Sequence, residues 1–378
     1  MNEQVFINRI SSFLPNDPVE NDEMEQFLGY VGDSPSRVRP IILRQNRIKR
    51  RYYALDKNQR ITHTNAELAK QAIDGLRLDD ETREKVEFLS CGTSMPDQLM
   101  PSHASMVHGL AFDHPLEIAS LSGVCMSGLM ALKTAVMSIQ SGNTQNAVCT
   151  ASELISPTML SRFFNEEIAH RKLIEENPYL AFEKDFLRFM LSDGAAAMYL
   201  SNNLESDMSL RIEWIKTYSY ANQQPACMYM WAEKQESGDL IGWKHFTSQD
   251  MTDKSIWSLK QDVRQLNQYA VSYFTNAVES SLEETATGCE DITYFIPHIS
   301  SMYFYDRLDA EFQERGINLP TAKWFTNLTT VGNMGSASPF IALEEFMRTQ
   351  NPQKGNKILL FVPESGRFSC GTALFTVM

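Results

Sequence analysis

The sequence predicts an α/β fold built from two similar halves. Two observations predict it. Pro115 to Glu153 reads as strand, sharp turn, helix, strand, and the order of elements around that unit occurs again further along the chain. A repeated order of helices and short apolar runs implies two related α/β units rather than two unrelated domains. The expected division is 1–205 and 206–378.

In the first half, Val5-Phe6-Ile7 opens as a strand, followed to residue 35 by an acidic, proline-containing segment. Arg37, Arg39, Arg44, Arg47, Lys49, Arg50 and Arg51 then fall between Ser36 and Tyr52 with no acid among them. Such a block is either a solvated, partly strand-forming edge or a docking face for an acidic partner or phosphate-bearing thioester. Thr64 begins a helix with Glu67 three residues on, a capping-box pattern, and Ala66, Leu68, Ala69, Ala72, Ile73 and Leu76 supply its apolar positions. Val86 to Leu89 reads as a strand leading into Cys91-Gly92-Thr93-Ser94. Leu116 to Leu121 is an apolar run suited to a buried strand. Ser122-Gly123-Val124 turns the chain, Cys125 stands where the next helix begins, and Leu129, Leu132, Val136 and Ile139 give that helix its apolar positions. Gln145 to Ser152 is a second apolar strand, closed by Glu153. Arg162 to Met190 is too irregular to assign. It ends at Ser192-Asp193-Gly194, before a strand from Ala195 to Leu200.

The second half repeats the series. Gln265 to Leu282 has helical spacing (Leu266, Tyr269, Ala270, Tyr273, Phe274, Ala277, Val278), and Ile292 to Ile296 is a strand ending at Pro297-His298. A glycine-rich turn, Gly332-Asn333-Met334-Gly335-Ser336, precedes a helix with Phe340, Ile341, Leu343, Phe346 and Met347. Ile358 to Val362 is a strand, and Ser365 to Gly371 turns into the last one, Thr372 to Val377. Duplication pairs Gly123-Val124-Cys125 with Gly332-Asn333-Met334, and the turn after Val86–Leu89 with Pro297-His298. A pseudo-twofold relation between the halves would bring Cys125, His298 and Asn333 to one cleft.

Composition narrows the function classes. Hydrophobic residues make up 43% and charged residues 21% of the 378, with no low-complexity tract, as in an ordinary globular enzyme. No window approaches about 18 uninterrupted apolar residues, and the opening lacks a basic region followed by an apolar run. The expectation is a cytoplasmic protein without a membrane span or signal peptide. The net charge of −13 argues against nucleic acid, whose phosphates need basic surface. Six scattered cysteines without a CxxC pair argue against zinc and thioredoxin-like chemistry.

A cysteine at a strand-to-helix turn has a chemical advantage. The helix N-terminus favours thiolate, and its N–H groups can stabilise an oxyanion on an attacked acyl carbonyl. The competing reading is that Cys125 is a small buried hydrophobe, the commoner fate of an intracellular cysteine.

These motifs together resemble the thiolase superfamily, and within it the ketoacyl synthase III branch. The resemblance rests on Val124-Cys125-Met126-Ser127-Gly128, Ser192-Asp193-Gly194-Ala195, Pro297-His298, Gly332 to Ser338 and Gly366 to Leu374. It implies a five-layered α-β-α-β-α fold, a homodimer and a Cys125, His298, Asn333 triad. It further implies an oxyanion hole from the N–H groups of Cys125 and Gly366. Cys125 would carry the acyl group, while His298 and Asn333 would stabilise the enolate of the second substrate. Asp193 reads as structural and Cys370 as core. No metal or resident cofactor is implied; substrates would ride on the phosphopantetheine of acyl carrier protein or on coenzyme A.

The sequence also departs from the branch. Its usual His-Gln-Ala-Asn is His298-Ile299-Ser300-Ser301, and Ile41 and Gln45 stand where initiating synthases carry the Trp and Arg that clasp coenzyme A. Those two replacements favour acyl carrier protein as donor. Extra length lies mainly between Cys125 and His298, where Arg162–Met190 and Tyr218–Lys260, including Cys227 to Trp231, would cover the substrate. The block Ile42 to Ala54, ending Asn-x-Ile-x-x-Arg-Tyr-Tyr-Ala, looks most like the DarB-type ketosynthase-cyclases of dialkylresorcinol and flexirubin pathways. That likeness implies joining two acyl thioesters, one of them β-ketoacyl, and closing a cyclohexanedione-type ring for a downstream aromatase. Glu153 would then be either an acid/base in ring closure or a structural carboxylate at a dimer interface. The alternatives are an initiating synthase using malonyl carrier protein and a catalytically silent synthase partner.

Overall fold

The main sheet is mixed and nine-stranded, and its two ends repeat one pattern. Its strands are β1 (Phe6–Phe13), β2 (Phe88–Thr93), β3 (Glu117–Ser122), β4 (Asn146–Glu153), β5 (Gly194–Ser201), β6 (Leu210–Ser219), β7 (Tyr294–Pro297), β8 (Lys357–Glu364) and β9 (Ser369–Val377). They lie in the order β7-β8-β9-β6-β1-β5-β4-β2-β3. The structure is a computed structural model and describes residues 3–32, 34–164, 169 and 185–378.

In the first half, β2 pairs parallel with β3 and β4, β5 antiparallel with β4, and β1 antiparallel with β5. In the second, β7 pairs parallel with β8, β9 antiparallel with β8, and β6 antiparallel with β9. Trp324 makes a parallel bridge to Phe295 where the first half has β3. The two ends of the sheet join where β1 meets β6, with Phe6 opposite Arg211 and Ile7 opposite Leu210.

Seven of the described helices frame the sheet: α1 (Arg39–Asn46), α2 (Asn65–Gly75), α3 (His103–Ala111), α4 (Met126–Gln140), α5 (Val263–Glu284), α6 (Met302–Glu314) and α7 (Ser338–Gln350). Helices α2 and α3 cover one face of the first-half strands, with Leu68, Ala72, Ile73 and Val107 packed on Leu89 and Val148. Helices α5 and α6 cover the far face of the second-half strands, where Phe274, Leu308 and Phe312 meet Phe295 and Phe361. Between the two sets of strands lie α4 and α7, whose Leu129, Leu132, Phe340 and Phe346 share one core with Ala196, Leu360 and Phe375. This is the five-layered α-β-α-β-α order. Each fully buried Leu or Phe of the central layer contributes about 1.5–3 kcal/mol over exposure.

Local chemistry sets the ends of these elements. Thr64 and Glu67 form the expected capping box at the start of α2, an arrangement worth about 1 kcal/mol. Gly128 lets α4 approach the turn before α7: a Cβ there would stand 2.6 Å from the Ser336 carbonyl oxygen and 2.7 Å from the Ala151 Cβ. The central helices therefore set the Cys125 turn against the Asn333 turn.

Two strand expectations are corrected. The run predicted at Val86–Leu89 becomes β2 only at Phe88 and continues through Cys91-Gly92 to Thr93. The run from Leu116, expected to be buried, is β3 at the open edge of the sheet, with Ile118 exposed. Periodicity reports apolar content but not whether another strand exists to cover it.

Candidate active site

Cys125 caps α4 immediately before Met126, with helical backbone angles (φ −60°, ψ −27°), and is 7% exposed. The N–H groups on either side, of Val124 and Met126, both donate to Glu364 Oε2 at 2.9 Å. This overturns the expectation of a thiolate favoured by a free helix terminus. Two local donors already serve a carboxylate, and burial pushes the Cys125 thiol well above its usual range, with the charges of Glu364 and Glu153 adding to the rise. Sequence reasoning missed Glu364. The available signal was an acid ending the apolar run of β8, two residues before Gly366.

Gly366 packs on the same turn. A Cβ there would lie 3.0 Å from Val124 Cγ2, so a side chain would crowd the nucleophile loop. Its carbonyl accepts from the Cys227 N–H (2.9 Å) and the Met228 N–H (3.1 Å), which ties it to the segment expected to cover the substrate. Among the described residues, neither the Cys125 nor the Gly366 N–H donates to another residue. Both donors needed for an oxyanion site are therefore available.

His298 follows the last residue of β7, and its N–H donates to the Phe361 carbonyl at 2.8 Å. The ring is buried, its Nε2 has no hydrogen-bond partner, and burial lowers its pKa to about 4. The imidazole is neutral near pH 7. A buried nitrogen without a partner is costly to maintain, and a substrate oxygen could satisfy it.

Asn333 is fixed through both backbone and side chain. Its N–H donates to the Met190 carbonyl (3.1 Å), its carbonyl accepts from the Ser192 N–H (2.8 Å), and its Oδ1 accepts from the Gly335 N–H (3.0 Å). With Oδ1 engaged, Nδ2 is the end of the amide with donors to offer. Gly332, at φ +77°, makes the turn possible, since a Cβ would lie 2.9 Å from that of Ser192.

One cavity of about 190 Å³ is lined by Cys125, Asn333 and Glu153 together. Its apolar wall includes Ile155, Phe186, Leu187, Met190, Met228, Met230 and Leu266. Ser300 and Ser365 contribute, next-but-one to His298 and adjacent to Gly366 respectively; His298 is buried but does not itself form the wall. Glu153 is buried with its oxygens engaged by the Ser94 N–H (3.0 Å), the Ser94 hydroxyl (2.7 Å) and the Ser336 N–H (3.1 Å). Burial raises its pKa against those bonds. Glu153 thus braces both halves and also faces the cavity.

Residues 74–205 match the family described as Beta-ketoacyl synthase, N-terminal domain, and residues 282–377 match 3-Oxoacyl-[acyl-carrier-protein (ACP)] synthase III C terminal. These stretches carry the Cys125 turn and the His298, Asn333 and Gly366 turns. In both halves the chain is therefore similar to the beta-ketoacyl synthase families. The beta-ketoacyl-[acyl-carrier-protein] synthase III of Clostridium perfringens (strain 13 / Type A) is 24% identical over 363 residues, covering 96% of each chain. Among solved structures, the tetronic acid condensing enzyme AbyA1 superposes with TM-score 0.72 at 20% identity, covering 98% of this chain and 99% of that one. Xanthomonas campestris OleA with bound lauric acid and lauroyl-CoA gives TM-score 0.74 at 18% identity over all of both chains. The protein is a ketosynthase III-like condensing enzyme.

Several features of this ketosynthase-like chain lie outside that match. The basic block is helix α1 followed by a short bridged segment, and it is not uniformly solvated. Arg39 pairs with Glu25 (2.7 Å) and Arg47 with Asp306 (2.8 Å). Arg51 is wholly buried and donates to Asn21 Oδ1 and the Phe189 carbonyl. Arg37, Arg44, Lys49 and Arg50 are exposed and make no ion pair among the described residues; Ile41 and Gln45 are also exposed on α1. Asp193 accepts from the N–H groups of Ala54, Ile155 and Ser156, a turn-holding role. Cys370 is buried in β9. Most of the segment expected at Arg162–Met190 (165–168 and 170–184) lies outside the described residues. No described helix is long and apolar enough to cross a membrane.

Proposed function

We propose that the protein joins two acyl thioesters, one of them a β-ketoacyl species, and then closes the product into a cyclohexanedione-type ring. The observation supporting this reading is the apolar cavity that brings Cys125, Asn333 and Glu153 together. In acylation, a bond forms between Cys125 Sγ and the acyl carbon, the donor C–S bond breaks, and the thiol proton ends on the departing carrier thiol. The Cys125 and Gly366 N–H groups receive the oxyanion of that step. His298 Nε2 and Asn333 Nδ2 then hold the enolate oxygen of the second thioester; its carbon attacks the acyl-cysteine, the Cys125 C–S bond breaks, and the proton that carbon gave up ends on the Cys125 sulfur.

Acyl carrier protein is the proposed donor, docking on the exposed part of the basic block. Reversing two free charges, Arg44→Glu with Arg50→Glu, should raise apparent KM for carrier-bound substrate about tenfold or more. The KM for a short soluble thioester should stay unchanged, and equal effects on both would make the block purely structural. A homodimer through the open edge of β3 is also proposed. An uncovered edge strand is a template for pairing, and Met106, Leu110, Ile118 and Met137 are exposed on α3, β3 and α4.

With an α,β-unsaturated acyl donor, ring closure takes a proton from the carbon beside the β-keto carbonyl, bonds that carbon to the β-carbon of the first chain as its C=C π bond breaks, and returns the proton to the α-carbon. A carboxyl whose pKa is raised by burial suits that transfer, and Glu153 meets both requirements. Glu153→Gln should keep acylation and condensation while linear or lactonised products replace the ring. An unchanged ratio of cyclic product would leave Glu153 with bracing alone. The names of the curated relatives favour a second reading, an initiating synthase using malonyl carrier protein. Purified protein offered malonyl and β-ketoacyl carriers in competition distinguishes the two. Use of malonyl alone, giving a linear β-ketoacyl product, would reject the cyclase reading. A DarB-type ketosynthase-cyclase would use the β-ketoacyl partner and supply its ring to an aromatase.

A further inference from the structure

The acid at the end of β8 is absent from the triad and the oxyanion hole, yet it touches the loops that build both. Glu364 Oε2 accepts at 2.9 Å from the Val124 and Met126 N–H groups, so one oxygen straddles Cys125. Its other oxygen faces the second loop: a Cβ on Gly366 would lie 3.4 Å from Oε1. Glu364 pairs with Ser369 across β8 and β9, so the hairpin carrying Gly366 springs directly from it. The side chain is 8% exposed.

We propose that Glu364 is a positioning residue that clamps the nucleophile turn to the Gly366 turn and places a negative charge against the Cys125 sulfur. The clamp fixes the distance between the two N–H groups that must converge on one oxyanion. The charge has a second consequence. Burial is the first cause of the raised Cys125 thiol pKa, and the titratable groups adding to it are Glu364 from β8 and Glu153 from β4; burial raises both carboxyls too, while the Val124 and Met126 N–H groups hold Glu364 toward its ionised form. The neighbouring Cys370 of β9 also feels Glu364, and His298 at the end of β7 is neutral near pH 7. Cys125 therefore rests as a thiol, which shields it from adventitious alkylation and oxidation, since both need thiolate. Its ionisation belongs to alkaline pH.

The inference deepens the proposed chemistry and rests on Cys125 being the nucleophile, but its test needs no thioester. Iodoacetamide labelling of Cys125, followed by peptide mass across pH 6 to 11, gives the midpoint of thiol ionisation. In the wild-type protein it should lie above that of an ordinary cysteine, about 8.5. Glu364→Gln keeps an acceptor oxygen but removes the charge. It should lower the midpoint by about one unit, making labelling near pH 7 roughly tenfold faster, while Glu364→Asp keeps the high midpoint. A merely structural role would not move this pH profile. A wild-type midpoint at or below 8.5, or an unchanged midpoint in a folded Glu364→Gln protein, would overturn the proposal. If Glu364→Gln does not fold, the wild-type midpoint alone decides. The predicted shift without acylation by any thioester would instead overturn the nucleophile reading and leave the charge relation standing.

Discussion

Cys125→Ala should abolish both the covalent acyl adduct and all condensed product. The substitution removes one sulfur from a buried position at the start of α4 and leaves the Glu364 bonds to Val124 and Met126 in place, because those use backbone N–H groups. The turn should therefore survive while the nucleophile does not. Among the cysteines lining no part of the cavity, Cys91, Cys149 and Cys370 are buried within strands and offer no substitute. Intact-protein mass after incubation with acyl thioester reads the outcome: the wild-type protein gains one acyl group, the variant none. An adduct retained on the variant would move the nucleophile elsewhere.

His298→Ala and Asn333→Ala should separate the two stages of the reaction. Both should still acquire the acyl group on Cys125, because the Cys125 and Gly366 N–H groups remain. Condensation should fall about 10²–10³-fold in each, the usual loss when one oxyanion donor is removed, or about 2.7–4 kcal/mol of transition-state stabilisation. The mechanism lies in how the donors are held. His298 Nε2 is buried without a partner, and the Asn333 amide is oriented because Gly335 occupies its Oδ1. Neither group needs to reorganise when charge develops on the enolate oxygen. Rapid-quench measurement of acylation and condensation separately checks this. Normal condensation in either variant would remove that residue from the enolate site.

Much of this site was legible because its chemistry is written locally. Glycine turns, a cysteine at a strand-to-helix boundary and the repeated element order bring Cys125 and Asn333 to one cavity once the halves pack. The capping box at Thr64 needed only three residues to be recognised. What was not legible depends on tertiary neighbours. Glu364 acts on a turn 240 positions away in sequence, and no local pattern records that meeting. Burial first, and the Glu364 charge with it, reverses the expected effect of the α4 terminus on the Cys125 thiol. Arg51 reads as one cation in a basic block, yet it is wholly buried under Phe189 and Asn21. The apolar run at β3 looked interior because the sequence does not say which strand closes a sheet.

The most direct test of the account follows one carbon. An acyl carrier thioester labelled with ¹³C at its carbonyl, together with an unlabelled β-ketoacyl carrier, should give a single product in which the labelled carbon is a ketone or ring carbon bonded to a carbon of the second chain. Carbon-13 NMR and mass spectrometry of the released product read this directly, and the product should be missing with Cys125→Ala. Recovery of the label only as free carboxylic acid would mean that the site hydrolyses thioesters without condensing them, and would contradict the account.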